Sequence, residues 1–298
     1  MPWEVNMLER LVETFCAVDD FCQAFLPQWA AYLIRNGTAP RGPKPGLSVS
    51  EIMTILLMLH GSRFKYLKNF YNGVIGEVLR RYFPEMPCYE RFVVLQQSVV
   101  IPLLFFLCSR LGHRTGIYYI DSTALAVCHN RRIGRHKTFA GLAARGKTSM
   151  GWFFGFKLHL VFNHLNEIVA VKLTPGNVHD GATVEQLTRN LTGKLFGDKG
   201  YLGQQRAATL LKRGLVLMTK VRKNMKSLPL TLTDKLLLNA RNMAETIIGH
   251  IKAFASLNLP KHRAPINAFL HLLAALTAYQ LDPIKPAASF SPLLSLPA

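Results

Sequence analysis

Ile117, Tyr118, Tyr119 and Ile120 form a run of bulky β-formers that ends in Asp121. Such residues favour a strand, and a short apolar run bounded by Gly116 fits a buried one. A carboxylate at the end of a buried strand is costly to desolvate unless it is paired or binds a cation. Taken alone, Asp121 reads as a cap on the following turn. Two further acids downstream weigh against that use.

The chain after Asp121 keeps supplying strands. Trp152–Phe162 alternates as a strand, 163–166 reads as a turn, and Glu167–Leu173 reads as a second strand. With the Asp121 strand they predict three antiparallel strands. Thr174–Asp180 is then a loop leading into a helix near 181–192, with Asp180 as its N-cap. Lys194–Gly197 is a short strand ending in Asp198, Gly203–Arg213 a helix, and Leu215–Thr219 another buried strand. A last amphipathic helix over Asp234–Leu257 carries Arg241, Glu245 and Lys252. At ~100° per residue these three fall on one line beside an apolar stripe of Leu237, Ala244, Ile248, Ile251 and Ala255. The plain use of Arg241 and Glu245 is an i,i+4 surface pair. The order βββ-α-β-α-β-α predicts an α/β fold: a ribonuclease-H-like mixed five-stranded sheet flanked by helices. Helix Pro265–Gln280 is apolar and reads as core.

Residues 1–115 read as an all-helical N-terminal DNA-binding domain, 116–280 as the α/β domain and 281–298 as a Pro-rich, loosely ordered tail. Within the first, the Pro- and Gly-rich stretch 36–46 is a loop, with Arg41 and Lys44 solvated on it. Ser48 and Glu51 form a capping box ahead of a helix over Ile52–His60. A helix-turn-helix over 48–72, with Arg63, Lys65 and Lys68 turned to DNA, and a plain helical bundle both fit that segment.

The charge is lopsided: 36 Lys and Arg against 17 Asp and Glu, a net +19, which calls for an anionic partner. From Ser122 to Asn166 there is no acid at all, whereas Arg131, Arg132, Arg135, Lys137, Arg145, Lys147 and Lys157 are present. Phe139, Trp152 and Phe153 are interleaved with them as surfaces on which bases could stack. DNA is therefore the expected partner of this domain. No membrane is expected, because the apolar runs Ile52–Leu59 and Val99–Leu107 fall short of the ~18–20 residues of a spanning helix. The start lacks the pattern of a signal peptide. The scattered cysteines show no C-x-x-C pair, which fits reduced thiols in a cytoplasmic, nucleoid-associated protein.

Between Gly116 and Lys252 there are only seven acids. Three of them, Asp121, Asp198 and Glu245, sit at two strand ends and a helix edge. Three carboxylates in a basic cleft repel one another unless cations lie between them. Oxygen-only ligands favour Mg²⁺, with Mn²⁺ as substitute, and two such ions suit phosphodiester chemistry.

Six motifs in order carry a resemblance: Ile120-Asp121-Ser122; Gly155 to His159; Thr174 to Asp180; Gly197-Asp198-Lys199-Gly200-Tyr201; Arg222 to Lys226; and Arg241-x3-Glu245-x6-Lys252. With them the chain resembles the DDE transposases of bacterial insertion sequences, specifically the insertion sequence 982 family. The resemblance implies that Asp121, Asp198 and Glu245 form the catalytic, metal-binding triad. It implies cleavage at terminal inverted repeats and joining of the freed 3′-hydroxyls to target DNA. It also implies that Arg241 and Lys252 contact DNA near the site. Lys199, Arg222 and Lys223 complete the expected DNA contacts, and the assembly on DNA is expected to be a homodimer or larger. Leu238 stands where the related signature has Tyr, and Ala264 where Ser is expected. A nuclease that cuts without strand transfer and a non-catalytic DNA-binding protein are the rival readings.

Overall fold

The computed structural model describes the chain apart from residues 1, 40–41, 43–44, 63, 221–230, 256, 258–260 and 287–298. Arg41, Lys44, Arg63, Arg222 and Lys223 therefore lie outside the described residues, as does most of the expected tail. The chain divides into two compact units. The first comprises Met1–Arg110, Ala253–Leu257 and His262–Asp282; the second comprises Leu111–Lys252, Asn258–Lys261 and Pro283–Ala298.

The first unit carries helices α1 (Pro2–Arg35), α2 (Val49–His60), α3 (Leu67–Asn69), α4 (Tyr89–Leu95) and α5 (Val100–Ser109). The second carries strands β1 (Ile117–Cys128), β2 (Ala144–Thr148), β3 (Gly151–Asn163), β4 (Ile168–Pro175), β5 (Gly193–Gly197) and β6 (Leu215–Thr219). Its helices are α6 (Val184–Leu187), α7 (Gln204–Lys212), α8 (Leu232–Ala240) and most of α9 (Asn242–Ala255). The last helix, α10 (Pro265–Leu281), belongs to the first unit. The sequence pattern groups it with the α/β domain, but an apolar helix carries no address in its composition. Leu270, Ala274 and Ala278 bury it against the core of the helical unit.

Helix α2 is the centre of that unit and is buried on nearly every side. The expected capping box starts it: Glu51 N donates to Ser48 Oγ at 3.1 Å, and Ser48 N donates to Glu51 Oε2 at 2.7 Å. The π-helical stretch Phe70–Val78 that follows buries Phe70, Tyr71, Val74 and Ile75. Helices α4 and α5 run on through a 3-10 turn, so Tyr89–Ser109 is by length and composition able to cross a membrane. That corrects the shorter run read from sequence. Pro102 is the third residue of α5, just past the 3-10 turn. Phe92, Val99, Leu103 and Phe106 of this segment are buried in the unit's core.

The second unit is built on one mixed sheet of order β2-β3-β1-β5-β6, with β4 also paired to β3. β1 is antiparallel to β3 and parallel to β5, and β5 is parallel to β6. The register of β3 against β2 and β4 shows the two following one another along β3: β2 matches 151–155 and β4 matches 156–162. The result is the expected ribonuclease-H-like arrangement with six strands instead of five. The additional strand, β2, forms a two-residue hairpin with β3 at Ser149-Met150. β1 also continues past Asp121 to Cys128, because Thr123 to Val127 still alternates against β3. Gly155 makes that contact possible, since a Cβ there would meet the Leu125 carbonyl oxygen at 2.0 Å.

Candidate active site

The parallel pairing of β1 with β5 matches Ile117 to Lys194, Tyr118 to Leu195 and Tyr119 to Phe196. Tyr119 and Phe196 point to one face, where they pack with Leu237 and Leu238 of α8. Side chains alternate along a strand, so Asp121 and Asp198, each two residues further on, point to that same face. Asp198 keeps extended dihedrals, φ −78° and ψ 168°, just beyond the end of β5. The register thus brings Asp121 and Asp198 to the same end of two adjacent parallel strands, where β1 outruns its neighbour.

Glu245 comes from the first turn of α9, where a carboxylate also suits the helix dipole. The single helix expected over 234–257 is two helices. α8 ends at Ala240, Arg241 is its C-cap with φ −50° and ψ −29°, and α9 begins at Asn242. Arg241 Nη2 lies 3.4 Å from Glu245 Oε1, and the Glu245 side chain is 67% exposed.

Asp121 is partly buried, and its Oδ1 accepts from Ser122 N at 2.8 Å. Burial pushes its carboxyl up to about 6. The Ser122 amide and the Arg241 guanidinium pull it down, while the Glu245 and Asp198 carboxylates push it further up. All three sequence-selected acids therefore share one electrostatic neighbourhood, with Arg241 inside it.

The donor set suits a hard divalent cation: it is all carboxylate oxygen, and burial makes the ionised form of Asp121 costly unless a cation neutralises it. Among the described residues, no three His, Cys, Asp or Glu side chains are gathered into a ready ligand cage.

Lys252 does not continue a solvent-facing basic line with Arg241. Its Nζ donates to Thr123 Oγ1 at 2.9 Å and to the Ala124 carbonyl oxygen at 3.1 Å. Burial lowers its ammonium from the usual range. Asp180 differs from the sequence reading as well. The N-cap of the turn Asp180–Thr183 is His179, whose Nδ1 accepts from Gly181 N at 3.1 Å. The Asp180 carboxylate instead pairs with Lys157 Nζ at 3.1 Å.

The opposite face of β1 carries Ser122. There Tyr118, Ile120 and Tyr201 pack with Val184 and Leu187 of α6 and Leu210 of α7. From sequence, Tyr201 closes the Gly197–Tyr201 motif but carries no role of its own. Its phenol is pushed above its usual range by burial, with the Asp121, Asp180 and Asp198 carboxylates adding to the effect. Its place three residues after Asp198 is the signal that could have found it.

Arg131, Arg132, Arg135 and Lys137 are exposed on and just after the 3-10 turn Asn130–Arg135, and Lys199 is exposed beside Asp198. Phe139 and Phe153 are buried, so they are not the stacking surfaces expected of them; strand alternation turns Phe153 inward and leaves Trp152 outside.

A family model described as "Transposase DDE domain" matches residues 111–265, a little over half of the chain. No curated protein matches the sequence. Among solved structures, the chain is similar to one described as the cryo-EM structure of piggyBac transposase synaptic complex with hairpin DNA. The TM-score is 0.49 at 11% identity, covering 92% of this chain and 74% of that one.

Proposed function

The chain belongs to the DDE transposase domain family, and from that premise we propose that it is the DNA transposase of a bacterial insertion sequence of the 982 kind. It cleaves the ends of its element and joins the 3′-hydroxyls to target DNA. The observation that supports this reading is the β1–β5 register, which pairs Tyr119 with Phe196, two residues before Asp121 and Asp198 in each strand.

DDE transposase domains depend on divalent metal. In this proposal Asp121, Asp198 and Glu245 hold Mg²⁺, probed also with Mn²⁺, and two ions fit the reaction. When bound, such ions stabilise the attacking and leaving oxygens of a phosphodiester. Arg241 holds Glu245 at the edge of the site, so its guanidinium sits where an incoming phosphate would pass. Lys252 ties α9 to β1. The exposed side chains Arg131, Arg132, Arg135, Lys137 and Lys199 bind phosphates of the inverted repeats or of the target. Arg222 and Lys223 join them by the sequence resemblance. The protein works as a homodimer or larger assembly on DNA, in the cytoplasm with the nucleoid.

The test is incubation of the protein with DNA carrying its own element ends and Mg²⁺. Cleavage at the ends, and joining of precleaved ends to a target plasmid, are the expected products. Asp121→Asn should abolish both while DNA binding persists. Cleavage without joining would support the nuclease reading instead. Binding with neither reaction in the wild type, under Mg²⁺ and Mn²⁺ alike, would sink the catalytic proposal.

A further inference from the structure

Strands β2 and β3 form a hairpin whose outer face is both cationic and aromatic. Lys147 is the cross-strand partner of Trp152, and Arg145 that of Phe154, so two cations and two aromatics share one face. The Lys147 ammonium sits 5.7 Å from the centre of the Trp152 ring. Trp152 is 64% exposed, and Met150 at the tip is 95% exposed. The backbone beneath the ring is tethered: Asn130 Nδ2 donates to the Trp152 carbonyl oxygen at 2.7 Å. That bond ties the hairpin to the turn bearing Arg131 and Arg132. The inner face is closed, since a Cβ on Gly146 would meet the Gly176 carbonyl oxygen at 2.1 Å. The hairpin is thus firmly seated, and its indole serves no core.

We propose that this hairpin tip is a stacking site for an unpaired DNA base, with Trp152 as the platform and Lys147 and Arg145 holding the adjoining phosphates. The inference rests on the DNA reading above and names the form of DNA this face selects. A flat ring in solvent finds its match in the π-face of a base, and stacking of that kind accepts any base. A paired duplex hides those faces except where a step is opened, which is where apolar side chains enter DNA. The absence of any acid from Ser122 to Asn166 fits a polyanion and repels a basic protein surface.

The experiment uses the full chain and two labelled DNAs of equal length and composition, one fully paired and one with a short unpaired stretch. Binding is read by anisotropy at fixed salt. The wild type should prefer the DNA with the unpaired stretch. Trp152→Ala should lose about tenfold on that DNA and stay within about twofold on the paired one. Trp152→Phe keeps a ring and should keep most of the preference. Lys147→Ala should weaken both DNAs alike, as a phosphate contact does. As a second readout, tryptophan fluorescence should be quenched by the unpaired stretch in the wild type, with that quenching lost in Trp152→Phe. This decides the matter even if the alanine variant folds poorly. Equal binding of the two DNAs by the wild type, or an equal loss on both in Trp152→Ala, would overturn the inference and leave general DNA binding standing. A wild type that binds neither DNA would overturn that broader reading and this inference with it.

Discussion

Lys252 Nζ lies 2.9 Å from Thr123 Oγ1 and 3.1 Å from the Ala124 carbonyl oxygen, which ties α9 to β1 two and three residues beyond Asp121. The helix that supplies Glu245 and the strand that supplies Asp121 are thereby held together at a second point. Hydrogen bonds from a charged donor contribute about 1.5–3 kcal/mol each, and the cost of desolvating the partly buried ammonium offsets part of that sum. Lys252→Ala should therefore lower stability by about 1–3 kcal/mol in urea unfolding and lower end cleavage with it. A lysine that only held a phosphate would leave the unfolding midpoint unmoved, so an unchanged midpoint would refute the tie.

Asp121 gives a prediction with a definite sign. Its folded-state carboxyl is raised from 3.8 to about 6. Between those values the folded state binds more protons than the unfolded one. The contribution of Asp121 is thus fully present below about pH 4 and is lost as pH rises through about 6. At neutral pH the ionised group is a burden of about 1–3 kcal/mol in the absence of a cation. Asp121→Asn should accordingly raise the metal-free melting temperature at pH 7 and leave it unchanged near pH 4. Mg²⁺ should stabilise the wild type and not the variant. Calorimetry at the two pH values, with and without Mg²⁺, checks both, and a variant less stable at pH 7 would contradict the argument.

The first unit carries a pH dependence of opposite sign. His60 Nε2 and His271 Nδ1 are 2.8 Å apart, and the His262 ring stacks on His271 with centroids 4.6 Å apart. Burial lowers all three, His60 to about 3, His262 to about 4, and His271 well below its usual value, with their mutual repulsion adding for His60 and His271. The unfolded state therefore takes up protons first. Stability is full above about pH 6.5 and is lost as pH falls toward 4, by up to about 1.4 kcal/mol per pH unit for each group. Replacing both partners as His60→Leu with His271→Leu should flatten this acid limb, seen as urea midpoints that vary less between pH 7 and 5. An identical slope in the double variant would show that other groups carry it.

Much of the site was legible because its geometry is written in short range. An apolar run ending in an acid recurs at Asp121 and Asp198, and parallel pairing then aligns the two with no further information. What escaped the sequence was set by tertiary packing. β2 has the polar composition Ala-Arg-Gly-Lys-Thr, with no alternation to mark it, and exists because β3 offers it an edge. The break between α8 and α9 falls at Arg241, where no Gly or Pro announces it. Lys252 lies at the edge of an apolar stripe, from which a long side chain can turn either to water or to a carbonyl. Asp180 looked like a cap because it opens a turn, but Lys157 on β3 pairs with it and leaves the capping to His179.

The exposed cluster Arg131, Arg132 and Arg135 is placed to test how DNA is held. None of the three is buried, and the turn that bears them lies in the acid-free stretch. Each phosphate contact on duplex DNA contributes about 0.9 to the slope of log K against log salt. If all three hold phosphates, the combined substitution Arg131→Ala, Arg132→Ala and Arg135→Ala should shallow that slope by about 2–3 and weaken binding to any sequence. Melting temperature should barely change, since no core contact is removed. A slope equal to that of the wild type would make this turn a solvated surface and move the main DNA contact to Lys199 and the neighbourhood of Arg241. Titration of the triple variant and the wild type at several salt concentrations, with one unrelated duplex as control, separates these outcomes.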